Sequence, residues 1–483
     1  MRVLTLFLFL VLSTCSRKAY QARLNQPVPD TTLSAEAVRA DLDYLHAAVE
    51  RISPRPYLNA DPVVVAAEYE LMKTRGAQSP VRFYESLRRV LATYNASHYS
   101  VSMPADIYRQ ELKDKDLGVF PFQGSLQDDQ YVIDRHFRPE DSLLMGATLH
   151  RINGMDADSL FLDYQRYEGG LETAKRYYIR QIFYLLLYSN GIHSPFQFDV
   201  TLVDGNRTII EHDGYRYPSS RNINEKPKQT AEERLAQEVS FRMIDRTGYL
   251  RVSSFSGYDY AAYQELLVRA FTTLATEGGE RLVVDARGNG GGNDLLARWL
   301  LTYTTDKPYR FYGGQHFKVS KEANRNFRYS PYLPWLFRQI PYGLYIRLSM
   351  KKHPAERNLY VRDTKNKPEA PKENPFRFSG PVYYVIDNGT YSSGVTLVNA
   401  VEDYDLGTLI GQPTGGAPTE PGEVIYLRLP NSGLRVGLPS KYFIRANGDA
   451  DNLEPVRPDV LIERGRLQAM TAEELAAFVD NLD

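Results

Sequence analysis

At 483 residues the chain is long enough for roughly two to four domains, and a composition of 43% apolar and 24% charged residues describes a folded globular protein and excludes wholesale disorder. A formal net charge of −1 supplies no global field for nucleic acid or an anionic surface, so any such preference has to be local. A single cysteine excludes an intramolecular disulfide framework.

The N-terminus, MRVLTLFLFLVLSTCS, has one positive residue, an apolar run of about ten residues and then small polar residues, the plan of a secretory signal over residues 1–15. The run is too short to span a bilayer. Leu12-Ser13-Thr14-Cys15 resembles a bacterial lipobox, with Thr14 in place of the usual small residue. The resemblance implies an exported lipoprotein in the cell envelope of a Gram-negative bacterium, periplasmic or on the outer membrane, acylated on Cys15. A plain secreted protein is the alternative.

Residues 32–104 carry two helical patterns, SAEAVRADLDYLHAAVERI behind an N-cap serine and SPVRFYESLRRVLATY behind Ser79 and Pro80, and read as a helical module. From 105 to 215 short apolar runs alternate with turn signals. GATLHRINGMDADSLFLDY combines a strand, an Asn-Gly turn and a helix, and FDVTLVDGNRTIIEHDG reads as a hairpin through Asp204-Gly205. This part resembles a PDZ-like, β-rich peptide-binding module.

A polar linker, SSRNINEKPKQTAEERLAQE, leads into residues 240–465, where strands and helices alternate as in an α/β core. The predicted fold class is therefore α/β (α+β) and multidomain. Residues 305–378 interrupt the core with an insertion rich in Tyr, Phe and Pro, in which Lys and Arg outnumber Asp and Glu by roughly three to one. It reads as a solvated surface excursion, as a lid offering aromatic and cationic contacts over a site, or as an amphipathic membrane contact. Residues 466–483 read as a C-terminal helix.

Within the core, DARGNGGGND follows a buried-type strand and precedes a helix. A P-loop would end in Gly-Lys-Ser/Thr, but Gly292 is followed by Asn293 and Asp294, and the third glycine of a dinucleotide fingerprint is out of register. Glycines at such a loop also bring backbone N–H groups close to a reacting carbonyl oxygen, or simply permit a tight turn. A nucleophile nearby separates the two readings, and DNGTYSSGV places Ser392 and Ser393 between a β-type run and a helical one.

Asp285-Ala286-Arg287-Gly288-Asn289-Gly290-Gly291-Gly292 resembles the D-L-R-x-N-x-G-G signature of the C-terminal processing (tail-specific) serine peptidases, and Gly389 to Gly394 resembles their T-A-S-A-A-E nucleophile motif. GTLIGQPTGGAP and LEPVRPDV resemble two further motifs of that family, in the same order along the chain. The resemblance implies a ClpP/crotonase-like core, a nucleophilic Ser392, and an oxyanion hole from Gly291 and Ser393. It implies no metal or other cofactor, no nucleic acid, and a peptide or protein substrate recognised by its C-terminus.

The lysine base of the bacterial branch is replaced by Ala417, and Val395 stands in place of an acidic residue. The tricorn-core-like branch uses a Ser-His pair from the N-terminal part of the chain, and YNASHYSV supplies Ser97 and His98. Carried over residue by residue, His98 is the base, and Ser97 and Glu454 orient it, with Asp449 and Asp451 close to the latter. Asp403 reads as a surface charge at a helix end. The expected activity is endopeptidase hydrolysis through an acyl-enzyme. The rivals are a catalytically inactive ligand- or peptide-binding lipoprotein on the same fold, and an α/β-hydrolase esterase, which the absence of G-x-S-x-G around Ser392 disfavours.

Overall fold

Behind a short helical segment over residues 19–24, three capped helices begin the fold in a computed structural model that describes residues 19–216, 229–329, 339–354, 356, 358–363 and 367–482. Cys15, the signal-like segment and the first half of the polar linker lie outside the described residues. Ser34, Asp61 and Ser79 accept backbone hydrogen bonds at the N-termini of α1 (Ala35–Ile52), α2 (Pro62–Lys73) and α3 (Pro80–Ala92), satisfying amides that a first turn leaves open. Leu42, Leu45, Val49, Phe83, Leu87 and Val90 merge into one core. After α3 the chain turns at Asn95, where φ is +49°, passes Ser97-His98, and enters β1 (Ser100–Val101).

The next unit contains α4 (Ala105–Asp114), β2 (Phe122–Gln127), β3 (Gln130–His136), β4 (Thr148–Ile152), β5 (Met155–Asp156), α5 (Ala157–Asp163), α6 (Glu172–Ser189), β6 (Phe196–Thr201) and β7 (Arg207–His212). Its antiparallel sheet runs β2-β3-β4-β6-β7, with β5 beside β4. The Asn153-Gly154 turn has φ of +50° and +80°, the left-handed pair that a tight hairpin needs. Phe120, Phe122, Phe183 and Phe198 fill the core under this sheet.

The second half of the presumed linker is a helix, α7 (Ala231–Glu238), begun by a capping box in which Thr230 and Glu233 bond each other's backbone amides. Polarity hid it, because most of its residues face solvent. The core then proceeds through β8 (Val239–Ile244), β9 (Thr247–Val252), α8 (Tyr260–Thr276), β10 (Arg281–Asp285) and α9 (Asp294–Thr304). The insertion supplies β11 (Gly314–Lys318), α10 (Lys321–Tyr329), α11 (Tyr342–Ser349), β12 (Lys351–Lys352) and β13 (Leu359–Asp363). The chain returns through β14 (Val382–Ile386), α12 (Ser393–Tyr404), β15 (Thr408–Gly411), β16 (Pro421–Arg428), β17 (Arg435–Ile444) and β18 (Val460–Leu461). It closes with α13 (Arg464–Ala469) and α14 (Ala472–Asp480), two short helices in place of the single one expected, because Thr471 and Glu474 start a new capping box.

The core sheet runs β18-β15-β14-β10-β9-β8, and every pairing in it is parallel except β8 with β9. Leu282–Val284 and Val382–Ile386 are buried without alternation, as strands covered on both faces require. A second sheet runs β1-β17-β11-β13-β12, with β16 on β17. The insertion is therefore no detached excursion or free lid. It contributes three strands to this sheet, Phe317, Tyr342 and Ile346 to the core of the helical module, and a 2.8 Å ion pair from Glu322 to Arg51.

Candidate active site

β10 and β14 are parallel neighbours, so the glycine loop leaving the first and the serine turn leaving the second emerge side by side at the carboxyl end of the sheet. Asn289 knits them together. Its carbonyl accepts from Tyr391 N at 2.7 Å, its Nδ2 donates to Val252 O at 2.9 Å, and its Oδ1 accepts from Gly291 N at 2.9 Å. Thr390 Oγ1 donates to Ala286 O at 2.9 Å.

These bonds hold Ser392 at φ +52°, ψ −121°, a conformation that L residues rarely adopt and that costs of order 1–3 kcal/mol. Strain of this kind at a strand-to-helix turn presents a serine hydroxyl outward. Gly291 is obligatory here: its φ is +92°, and a Cβ on it would stand 2.6 Å from Ser392 Cβ and 2.8 Å from Ser393 N.

His98 arrives from the opposite end of the sequence. Ser100 pairs with Gly437 in the second sheet, which fixes the chain two residues beyond the imidazole. His98 Nε2 lies 3.4 Å from Ser392 Oγ. On its other side, Nδ1 lies 3.0 Å from Tyr391 Oη and 3.6 Å from Glu420 Oε1, and the two rings stack with centroids 4.9 Å apart. Tyr391 Oη is hydrogen-bonded to Ser97 Oγ, which donates to Glu420 Oε2 at 3.5 Å. Burial pushes the His98 pKa down to about 4 and the Glu420 carboxyl well above its usual range, so a neutral pair is favoured at rest.

With a carboxyl oxygen as terminal acceptor, the hydroxyls run in one direction. His98 Nδ1–H donates to Tyr391, Tyr391 to Ser97 and Ser97 to Glu420, which leaves Nε2 to accept from Ser392. That tautomer is the one a general base requires.

The structure thus brings together Ser392, His98, Ser97, Gly291 and Ser393, and leaves Glu454 out. The Glu454 side chain is 66% exposed and pairs with Arg457 at 2.9 Å, in an irregular segment. Asp449 is exposed as well. Glu420, at the start of β16, occupies the acidic position instead. Gly291 is also corrected as an oxyanion donor, because its N–H is taken by Asn289. The neighbouring Gly292 N–H has no partner among the described residues, and Ser393 N–H lies in the first turn of α12, where helices leave amides open.

Asp403 is no surface charge. It is buried under Arg445 at 2.6 Å and accepts from Asn447 N at 2.9 Å, tying the end of α12 to β17. Val395 sits in the hydrophobic core and Ala417 is buried. Sequence reasoning missed Glu420 and Tyr391. The available signals were a glutamate three residues past the absent lysine, and an aromatic directly before the nucleophile. Among the described residues, no group of three or more His, Cys, Asp and Glu is placed to hold a metal ion.

A strained serine beside a glycine loop, with an imidazole against its hydroxyl, belongs to the serine-hydrolase class of sites. Residues 246–462 match the model of Peptidase family S41, and this domain belongs to that family of serine peptidases. No curated protein matches the chain. Among solved structures, mature CPAF complexed with lactacystin aligns at 13% identity over 93% of this chain and 97% of that one, with a TM-score of 0.62. The photosystem II D1 C-terminal processing protease aligns at 15% identity over 90% and 95% of the two chains, with a TM-score of 0.42. The CPAF match extends the likeness of fold well beyond the peptidase domain into the N-terminal units.

Proposed function

We propose that the chain is an exported serine endopeptidase that cleaves peptide bonds through an acyl-enzyme on Ser392, with His98 as general base. The observation that carries the proposal is the 3.4 Å approach of His98 Nε2 to Ser392 Oγ, with Nδ1 tied through Tyr391 and Ser97 to Glu420. His98 takes the hydroxyl proton as Ser392 attacks the carbonyl. The imidazolium so formed is stabilised by the hydroxyl relay and the Glu420 carboxyl, and it returns the proton to the leaving amine. Backbone N–H groups of Gly292 and Ser393 receive the oxyanion, and water activated by the same imidazole releases the acyl group.

The unit from Ala105 to His212 would engage the substrate C-terminus as a PDZ-like module, and the N-terminal run with Cys15 would carry export and a lipid anchor. The reading is tested by digestion of a peptide library. Wild type should cleave internal bonds while Ser392→Ala and His98→Ala lose at least about a thousandfold in kcat. Hydrolysis by Ser392→Ala at the wild-type rate would refute it.

A further inference from the structure

Helix α11 buries Tyr342, Gly343 and Ile346 against the core and turns Leu344 and Leu348 outward, 49% and 79% exposed. Leu344 and Leu348 stand one turn apart on the outward face, and Ile340, 39% exposed, lies just ahead of the helix before its N-cap Pro341. A single exposed leucine is ordinary, whereas an aligned stripe marks a contact surface. Exposed Arg347, Lys351 and Lys352 border it.

The path of the N-terminus says what covers this surface. The first described segment, helical over residues 19–24, places Tyr20 against α10 of the same insertion: its ring packs at a tilt against Tyr329 with centroids 5.1 Å apart, and Arg325 lies 5.9 Å over it. α10 in turn packs on α11 through Phe327, whose ring is 5.3 Å from Tyr342 and 5.8 Å from Tyr345. Cys15 and the apolar run before it are joined to the fold only five residues from this contact.

We infer that the outward face of α11, formed by Leu344, Leu348 and Arg347 and flanked by Ile340 before the helix and Lys351 and Lys352 after it, rests on an anionic lipid surface beside the N-terminal anchor. This rests on the reading of residues 1–15 as a membrane-directed segment. One anchor alone gives weak, reversible attachment, and an apolar stripe with basic flanks supplies the second signal. The surface would hold the peptidase in one orientation on the membrane.

The test uses the full chain with Cys15→Ser and a single new cysteine, Leu348→Cys, carrying an environment-sensitive fluorophore. A control carries the label at Leu143→Cys, a position 83% exposed on the middle unit. On vesicles of phosphatidylglycerol and phosphatidylcholine, the label at 348 should shift to the blue and be quenched by nitroxide-bearing lipid, while the label at 143 stays water-like. Lys351→Glu with Lys352→Glu should weaken partitioning roughly tenfold at low salt, and high salt should weaken the wild type likewise. A water-like label at 348 on vesicle-bound protein overturns the inference, since attachment then uses a surface other than this face of α11. A label buried by self-association without vesicles also overturns it, the occupant then being a second copy. Hydrolysis of a soluble peptide by the labelled chains is scored separately, so loss of the peptidase reading leaves the lipid readout intact.

Discussion

Tyr391 Oη lies 3.0 Å from His98 Nδ1, so the residue that directly precedes the nucleophile also orients the base. One loop thereby sets the serine and the imidazole together. Tyr391→Phe keeps the stacked ring and removes the hydroxyl. A hydrogen bond to a group that becomes charged is worth about 1.5–3 kcal/mol, so kcat should fall roughly 10- to 150-fold with little change in KM. Steady-state kinetics on one peptide checks this, and an unchanged kcat would disconnect Tyr391 from the base.

His98 must be neutral to accept a proton, and burial holds its pKa down to about 4. The acidic limb of kcat/KM should therefore lie near pH 4, well below the ordinary histidine value of 6.5, with activity lost as pH falls through it. The unfolded chain binds that proton first, so His98 also makes the native state lose stability as pH falls from 6.5 towards 4. A pH–rate profile bounded by stability controls measures both.

Glu420 behaves oppositely. Burial raises its folded pKa well above 4.5, so its contribution is fully present below 4.5 and is lost as pH rises towards the folded value. Glu420→Gln removes that loss. The variant should gain stability relative to wild type as pH climbs above 4.5, while kcat drops because an amide cannot ionise to balance the charge of the imidazolium. Thermal melts across pH, set beside kinetics, distinguish this from a Glu420 that is ionised and ion-paired at rest, whose replacement would lose stability with rising pH.

Much of this arrangement was legible in the chain. The order of strand, glycine loop, helix, strand and serine turn pointed to the core and to Ser392, and Ser97-His98 stood out as a pair. The acidic partner was not legible, because spacing along the chain favoured Glu454, and only the pairing of β16 with β17 and of β17 with β1 carries Glu420 to His98. The Gly291 N–H looked available until the Asn289 side chain was placed against it. The insertion read as separate because it joins the sheet through β11 alone, whose partner β17 lies far away in sequence, while β12 and β13 pair within the insertion. α7 was masked by its polar face, although Thr230 and Glu233 spelled its start.

Gly291→Ala tests the close approach of the two loops. A methyl group 2.6 Å from Ser392 Cβ, on a backbone at φ +92°, must displace the nucleophile. Activity should fall at least about a hundredfold while far-UV circular dichroism stays native. Full activity would mean that the loops stand farther apart.

Asp403 and Arg445 join α12 to β17 through a buried ion pair at 2.6 Å. Asp403→Ala leaves the guanidinium with only Glu402 and should cost about 3–5 kcal/mol in urea unfolding. A cost below about 1 kcal/mol would show that the pair does not anchor the helix behind Ser392.

The central claim is that His98 activates Ser392, and labelling with a fluorophosphonate, followed by peptide mapping, addresses it most directly. Wild type should be modified at Ser392 alone, Ser392→Ala should take no label, and folded His98→Ala should label at least about a hundredfold more slowly. A folded wild type that stays unlabelled, or a His98→Ala variant that labels at the wild-type rate, would contradict the account.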